Sequence, residues 1–335
     1  MPWATRIKKG NQMISPQKIN ILLSPSEIEK ILKKKSKELG VSPQHIKTVK
    51  IKVIKKYTDW RSFSVVLFYS FDKKRIVGTA NSDGKKEYAF KINKLIFKHF
   101  SKTHPKNISI SKPYCYIKGL GLFLREYLKG ENLGEILKKK GEIKILHIKR
   151  IAELLAFLQS IKTSQSFIKR GTDFYDIEKN IKILRQRKIK ESAIISKRFQ
   201  KIKRLIKGYE RKKTKKVLVH GDFNPYNLFF EKNRIKIADF GSIHIGERVS
   251  DLAALFSHLE TSLDFNISKK QRISFENLLL KYYQKLTKEF DAFEIEKLKV
   301  YRAYFSLLIL SHIMVWGGKP QRIQAGKKLK HINIV

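Results

Sequence analysis

The chain has 335 residues, of which 42% are hydrophobic and 11% aromatic. This composition excludes a disordered chain, and the length is sufficient for one large domain or two lobes with separate cores. A single cysteine, Cys115, excludes an intrachain disulfide, and without a zinc ligand set it favours a reducing, cytoplasmic location.

The formal net charge of +44 comes from 73 Lys and Arg against 29 Asp and Glu. Such an excess is typical of proteins that bind nucleic acid or another anionic surface. The lysines are spread along the whole chain, however, together with abundant isoleucine and asparagine, and this favours a compositional bias. The densest basic run, residues 185–216, has few aromatic side chains that could stack on bases, so nucleic acid is the less favoured partner.

The first third of the chain is rich in predicted strands. Within an N-terminal extension, residues 1–42, Ser24 and Glu27 form a capping box that begins a short basic helix, and Gly40 ends it. Residues 43–128 are predicted to form an antiparallel-sheet lobe with one helix, because β-branched and aromatic segments recur there. The predicted strands are 48–57, 62–71, 75–79, 108–117 and 120–127, and the helix is 85–100.

A change of pattern after Gly130 predicts a second, mainly helical lobe at 129–335. Apolar residues recur there at helical spacing, interrupted by a strand-rich segment at 217–245. Near the C-terminus the uncharged stretch 303–318 falls short of about 20 apolar residues, so we predict a buried helix and no transmembrane segment. The chain is therefore predicted to be of the α+β class.

The strand-rich segment carries the residues with the clearest chemistry. Asp222 and Asn227 lie on a loop after a short apolar strand, because Pro225 prevents helix propagation. A four-residue polar turn then predicts a β-hairpin in which Phe230 pairs with Ile235. In that register Asn227 lies opposite Ala238, one residue before Asp239, so Asp222, Asn227 and Asp239 are expected to cluster.

This cluster suits phosphoryl transfer. Mg²⁺ binds a few protein oxygens together with water and substrate phosphates, and Asn227 and Asp239 fit as its ligands. Phosphoryl transfer requires neutralised phosphate charge and an attacking hydroxyl held in line. Asp222 could accept the proton of that hydroxyl as a general base.

The motifs HGDFNPYN, IADFG and GERVSDLA, in this order, resemble the signature of the aminoglycoside-phosphotransferase and choline-kinase superfamily, relatives of the protein kinases. LFLREYLKGENL resembles the family's hinge, IAELLAFLQSI resembles the helix after it, and residues 51–100 resemble its N-terminal lobe. The resemblance covers nearly the whole chain. It implies a two-lobed, protein-kinase-like fold and an enzyme that uses ATP and Mg²⁺ to phosphorylate a hydroxyl of a small molecule.

The resemblance also implies roles for particular residues. Asp222 is the expected catalytic base, Asn227 and Asp239 are the expected Mg²⁺ ligands, and the backbone of Glu126 and Leu128 is expected to meet the adenine.

Two further residues have supporting roles by the resemblance. His220 is a structural residue of the catalytic loop, and Asp251 is the acidic residue that supports this loop. Asp251 has an equally good alternative role, because Ser250 and Asp251 would also cap and charge the start of the following helix.

One departure from the family pattern concerns Thr79. It occupies the position where relatives carry the lysine that holds the ATP phosphates, and a threonine cannot supply that charge. Either a nearby lysine such as Lys85 or Lys86 substitutes, or nucleotide binding is weakened. The alternative hypothesis is therefore a catalytically weak or silent nucleotide-binding module.

The acceptor is expected to be a small hydroxylated molecule. An aminoglycoside is a polycation, and this basic chain favours a neutral or anionic acceptor instead. A local acidic patch could reverse that preference, and its candidate members are Asp173, Asp176, Glu260 and Asp264.

Overall fold

The computed structural model describes residues 14–58, 62–163, 165–212, 215–288 and 290–332. The chain forms two compact units. The first, called here the N-terminal unit, comprises Met1–His104, Ile110–Lys129 and Ala238–Gly241. The second, called the helical unit, comprises Pro105–Ser109, Gly130–Ile237 and Ser242–Val335.

Three short helices come first in the N-terminal part of the chain, followed by three strands, one long helix and three further strands. They are α1 (Lys18–Leu23), α2 (Pro25–Lys34), α3 (Ser36–Leu39), β1 (Lys50–Thr58), β2 (Phe63–Phe71), β3 (Lys74–Asn81), α4 (Lys85–Thr103), β4 (Ile108–Ile110), β5 (Pro113–Ile117) and β6 (Leu122–Glu126). Five of the strands form an antiparallel sheet in the order β1-β2-β3-β6-β5.

One face of this sheet packs against the first helices. Tyr69 on β2 is fully buried, and its hydroxyl donates to the carbonyl oxygen of Leu22, 3.2 Å away. Ser24 accepts the N–H of Glu27 at the start of α2. The predicted basic helix is interrupted at Lys35, and its second part, α3, ends at Gly40 in the left-handed conformation. Helix and sheet together thus bury one apolar core.

The predicted strand 108–117 is in fact two strands in different sheets. β4 lies at the edge of a second sheet, beside a strand formed by Arg234–Ile237, whereas β5 pairs with β6. Pro113 begins β5 and has no N–H to continue a ladder, which is consistent with a break at this point.

The rest of the chain is mainly helical. Its elements are β7 (Glu131–Asn132), α5 (Leu133–Lys140), α6 (Ile145–Ser160), α7 (Tyr175–Gln186), α8 (Ser192–Arg211), β8 (Val217–Val219), β9 (Leu228–Glu231), β10 (Arg234–Ile237), β11 (His244–Gly246), α9 (Ser250–Thr261), α10 (Lys269–Thr287), α11 (Ala292–Trp316) and α12 (Lys319–Lys330). The prediction of an α+β fold with an antiparallel-sheet lobe and a mainly helical lobe is confirmed.

Helix α11 lies at the centre of the helical unit and packs on α7, α8, α9 and α12. Among the helices in the described ranges, α11 alone is long and apolar enough to cross a membrane, and 67% of its most apolar stretch is buried in the protein. The buried C-terminal helix predicted at 303–318 is confirmed, and the helix extends further toward the N-terminus.

The basic run 185–216 contains α8, and one side of this helix packs in the core. Its apolar side chains, including Phe199 and Ile206, are buried. Several of its cations have partners within the helical unit: Arg187 donates to the carbonyl oxygen of Val315, and Lys216 pairs with Glu247.

Candidate active site

The loop between β8 and β9 holds the carboxylate of Asp222 from two sides. The side-chain amide of Asn224 donates to Oδ1 of Asp222 at 2.7 Å, and that of Asn227 donates to Oδ2 at 3.0 Å. Pro225 opens a short 3₁₀ turn over Pro225–Asn227. The turn presents both asparagines to the same carboxylate, so Asp222 is an acceptor whose position is defined by its neighbours.

The amide of Asn227 has only one orientation that satisfies its contacts. Its nitrogen also donates to the backbone oxygen of Asp222 at 2.9 Å, and both partner atoms of Asp222 are acceptors. The side-chain oxygen of Asn227 therefore faces away from Asp222. Amide and carboxylate oxygens are ligands that Mg²⁺ accepts, so Asn227 fits the predicted role.

Asp239 belongs to the N-terminal unit. Its backbone has φ of 60°, a conformation that few residues other than glycine adopt, and its carboxylate accepts the N–H of Gly241 at 3.4 Å. The turn lies against α4, because a Cβ on Gly241 would lie 3.9 Å from Cβ of Ala89. Backbone strain in this region is common at functional sites.

The described residues contain no group of three or more His, Cys, Asp or Glu side chains placed to hold a metal ion. The predicted pair differs from such a group because it combines the amide of Asn227 with the carboxylate of Asp239. A pair of this kind suits Mg²⁺, which keeps several waters and phosphate oxygens in its shell. The clustering of Asp239 with Asn227 stays a prediction.

Asp251 supports the backbone that leads to Asp222. It is 1% exposed in the first turn of α9, and its carboxylate accepts the N–H groups of His220 at 2.8 Å and Gly221 at 3.0 Å. The alternative role was a cap of α9 by Ser250 and Asp251. Val249 is instead the N-cap residue, and no side chain makes a capping hydrogen bond there. Burial raises the pKa of Asp251 to about 7; the two N–H donors oppose this shift, and the charge of Asp222 adds to it.

Gly221 is required where the loop passes β11. Its φ is 78°, and a Cβ there would lie 2.3 Å from the carbonyl oxygen of Ser242. His220, immediately before it, is fully buried, and its ring lies nearly perpendicular to that of Phe223, with 6.0 Å between the ring centroids. Both residues therefore serve the shape of the loop.

The predicted adenine-binding segment follows β6. The backbone N–H of Glu126 donates to Lys112, and its carbonyl oxygen accepts the hydroxyl of Ser111 at 3.0 Å. Leu128 is buried, and its backbone makes no hydrogen bond within the described residues. These groups fit the predicted roles.

The lysines proposed to replace the missing charge at Thr79 lie at the start of α4. Lys85 is exposed and forms an ion pair with Asp83, and Lys86 beside it is partly buried. Thr79 itself is buried on β3 between Val66 and Phe123.

Arg125 is a residue that the sequence analysis missed. It lies on β6 directly before Glu126, and the signal for it was an arginine within an otherwise apolar strand, LFLRE. Burial lowers the pKa of its guanidinium, and the negative charge of Asp239 opposes that shift. Arg125 and Asp239 therefore share one electrostatic environment within the N-terminal unit.

Most of the predicted acidic patch is paired with cations. Glu260 binds Arg302 at 2.9 Å, Asp264 lies 3.3 Å from Lys138, and Asp173 lies 3.7 Å from Lys169. These pairs reduce the negative charge that a polycationic acceptor would require.

Comparison with known proteins gives a consistent result. The model of the phosphotransferase enzyme family, APH, matches residues 81–289. Choline kinase from Cryptosporidium parvum has 14% identity and a TM-score of 0.64, covering 92% of this chain and 94% of its own. Choline kinase from Streptococcus pneumoniae has 15% identity and a TM-score of 0.57, covering 90% and 99%. An aminoglycoside phosphotransferase in complex with streptomycin and ATP has 18% identity and a TM-score of 0.54, covering 86% and 93%. No curated protein sequence matches the chain.

Proposed function

Because the chain belongs to the phosphotransferase enzyme family, we propose that it is an ATP-dependent kinase that phosphorylates a hydroxyl of a small molecule. The observation that carries this proposal is the carboxylate of Asp222, held by two amide donors on a loop whose backbone is bound by Asp251. A carboxylate fixed in this way is an acceptor ready for the proton of a hydroxyl.

The proposed reaction transfers the γ-phosphoryl group of ATP to the acceptor hydroxyl. Asp222 takes the proton of the acceptor hydroxyl while that oxygen forms a bond to the γ-phosphorus of ATP. The bond between this phosphorus and the bridging oxygen breaks, and the electron pair leaves with ADP. Asn227 and Asp239 would hold Mg²⁺, which when bound neutralises phosphate charge. The backbone of Glu126 and Leu128 would orient the adenine.

The acceptor is proposed to be neutral or anionic. The pairing of Glu260, Asp264 and Asp173 with basic side chains supports this choice over a polycation. A screen of Mg²⁺-ATP consumption against neutral, anionic and cationic hydroxylated compounds tests it. Turnover confined to aminoglycosides would contradict the proposed acceptor class but not the proposed reaction.

The catalytic proposal is tested with Asp222→Asn. Asparagine keeps the size of the side chain but cannot take a proton, so turnover with an acceptor found in the screen should fall by about 10²–10⁴-fold. ATP affinity should change little, because Asp222 is assigned to the acceptor and not to the nucleotide. Asp72→Asn is the matched control, since Asp72 is an exposed residue with φ of 48° that asparagine tolerates. Native turnover by Asp222→Asn would refute the role of the base.

A second candidate, a catalytically silent nucleotide-binding module, is motivated by the uncharged Thr79. ATP with Mg²⁺ should stabilise either form, by about 2.7 kcal/mol at a hundredfold excess over the dissociation constant. Thermal stabilisation therefore shows binding, and only phosphorylated product separates the kinase from the silent module. Stabilisation by ATP without product across the whole screen would favour the second candidate.

A further inference from the structure

The residue that compensates for Thr79 can be sought on the sheet that carries it. Thr79 on β3 pairs with Phe123 on β6, and Val77 pairs with Arg125. Directly opposed residues share a face of a sheet, and side chains two residues apart on one strand share it too. Thr79 and Arg125 therefore lie on one face, on neighbouring strands.

Other cations of the sheet are less suited to this role. Lys52 and Lys55 share the same face, but they lie on β1, two strands from Thr79, and are exposed. Lys74 donates to the carbonyl oxygen of Leu39 and lies over the ring of Tyr114.

Arg125 is a partly buried cation whose donors are free to bind an anion. Its guanidinium makes no hydrogen bond or ion pair with any residue in the ranges that the structure describes. The guanidinium nitrogens of Arg125 are not enclosed by protein, so its five N–H donors are open to an incoming anion. The negative charge of Asp239 opposes the fall in the pKa of Arg125 and so favours its charged form. Asp239 is also the residue proposed to hold Mg²⁺ beside the phosphates.

We propose that Arg125 replaces the missing lysine and binds the phosphate oxygens of the nucleotide. This inference rests on the proposed function, since it assigns a residue to the ATP of that reaction. A guanidinium can bind phosphate through two parallel N–H groups, so it meets the same need from a neighbouring strand. The positive charge that relatives carry on β3 would thus be supplied from β6, on the same face of the sheet.

The test compares the binding of ATP with that of adenosine. Arg125→Met keeps the aliphatic length and removes the charge, and loss of a charged hydrogen bond should lower ATP affinity by about 10–100-fold. Adenosine has no phosphate, so its affinity should stay within about twofold, which also shows that the variant is folded. Lys52→Met is the matched control, because Lys52 is an exposed cation on the same face of the sheet, two strands from Thr79.

A charge-relocation variant sharpens the test. Thr79→Lys combined with Arg125→Met should recover most of the ATP affinity lost in the single variant, because it returns a cation to the same face. Isothermal titration calorimetry measures all four proteins with both ligands. A double variant that binds ATP no better than Arg125→Met would contradict the exchange of roles.

The two proposals fail differently. If the unaltered protein binds ATP and Arg125→Met binds it equally well, Arg125 has no phosphate role and the kinase proposal stands. If Arg125→Met loses ATP and adenosine to the same extent, Arg125 is a structural residue and the inference is wrong. If the unaltered protein binds no ATP, the proposed function itself fails.

Discussion

Gly221 and Asp251 show how single residues shape the loop that carries Asp222. Gly221 allows the backbone to pass close to Ser242, and Asp251 accepts the N–H groups of His220 and Gly221. Neither residue needs to touch a substrate. They fix the conformation of the backbone immediately before Asp222.

Gly221→Ala should therefore destabilise the protein. The Cβ would meet a backbone oxygen at 2.3 Å in a left-handed conformation, so we expect a loss of at least about 2 kcal/mol in the free energy of unfolding. Gly119→Ala is the control, because a Cβ there meets nothing within 4 Å, and it should change stability by no more than about 0.5 kcal/mol. Urea denaturation measures both, and equal stabilities would contradict the close approach.

The raised pKa of Asp251 predicts a pH dependence of stability. The folded state holds the proton more tightly than the unfolded state, whose carboxyl titrates near 3.8, so the stabilisation is complete below that pH and is lost as pH rises through about 7. Asp251→Asn cannot titrate. The stability of the unaltered protein relative to Asp251→Asn should thus decrease between pH 4 and 7, as measured by urea denaturation at several pH values. A difference independent of pH would contradict the shift.

At the scale of elements, the first helices complete the N-terminal sheet. α2 buries Leu32 and Ile28 against the face that carries Tyr69. The capping residues of α2 are local and were predicted from the sequence, whereas the face that it covers depends on strands that follow later in the chain.

Leu32→Ala should cost about 2–5 kcal/mol in the free energy of unfolding, because Leu32 is fully buried in that interface. Ile54→Thr is the control on the same unit, since Ile54 is 47% exposed on the edge strand and threonine keeps the β-branched shape. Chemical denaturation compares the two variants. A cost for Leu32→Ala as small as for Ile54→Thr would show that the helices do not pack on the sheet.

The net charge is a property of the whole molecule. If it is a compositional bias, no single surface should dominate binding to a polyanion. In the run 185–216 one side of α8 is buried in the core, and outside this run β1 carries four exposed lysines.

Two sets of four lysines can be neutralised to glutamine and compared. One set is Lys190, Lys197, Lys201 and Lys207 in the basic run, and the other is Lys50, Lys52, Lys55 and Lys56 on β1. We expect both to weaken binding to duplex DNA to a similar extent, with similar loss of salt dependence, in anisotropy titrations at two salt concentrations. A much larger effect of the first set would identify 185–216 as a docking surface.

The sequence alone determined the features that depend on neighbouring residues. The pairing of Phe230 with Ile235 follows from turn length, and the start of α2 follows from Ser24 and Pro25. The order and spacing of Asp222, Asn227 and Asp239 made them candidates for the site, and the change from strand to helix pattern after Gly130 predicted a sheet lobe followed by a helical lobe. Each of these signals acts over a few residues, so it can be read without knowing what the chain packs against.

Only the tertiary structure decided features that join distant parts of the chain. The contact of Asp251 with His220 and Gly221 crosses about thirty residues, and a helix cap was an equally good interpretation of the same sequence. The alignment of Arg125 with Thr79 depends on pairing between β3 and β6, which are separated by α4 and two strands. Such pairings are chosen by the burial of whole sheet faces, and that choice is not encoded in any local pattern.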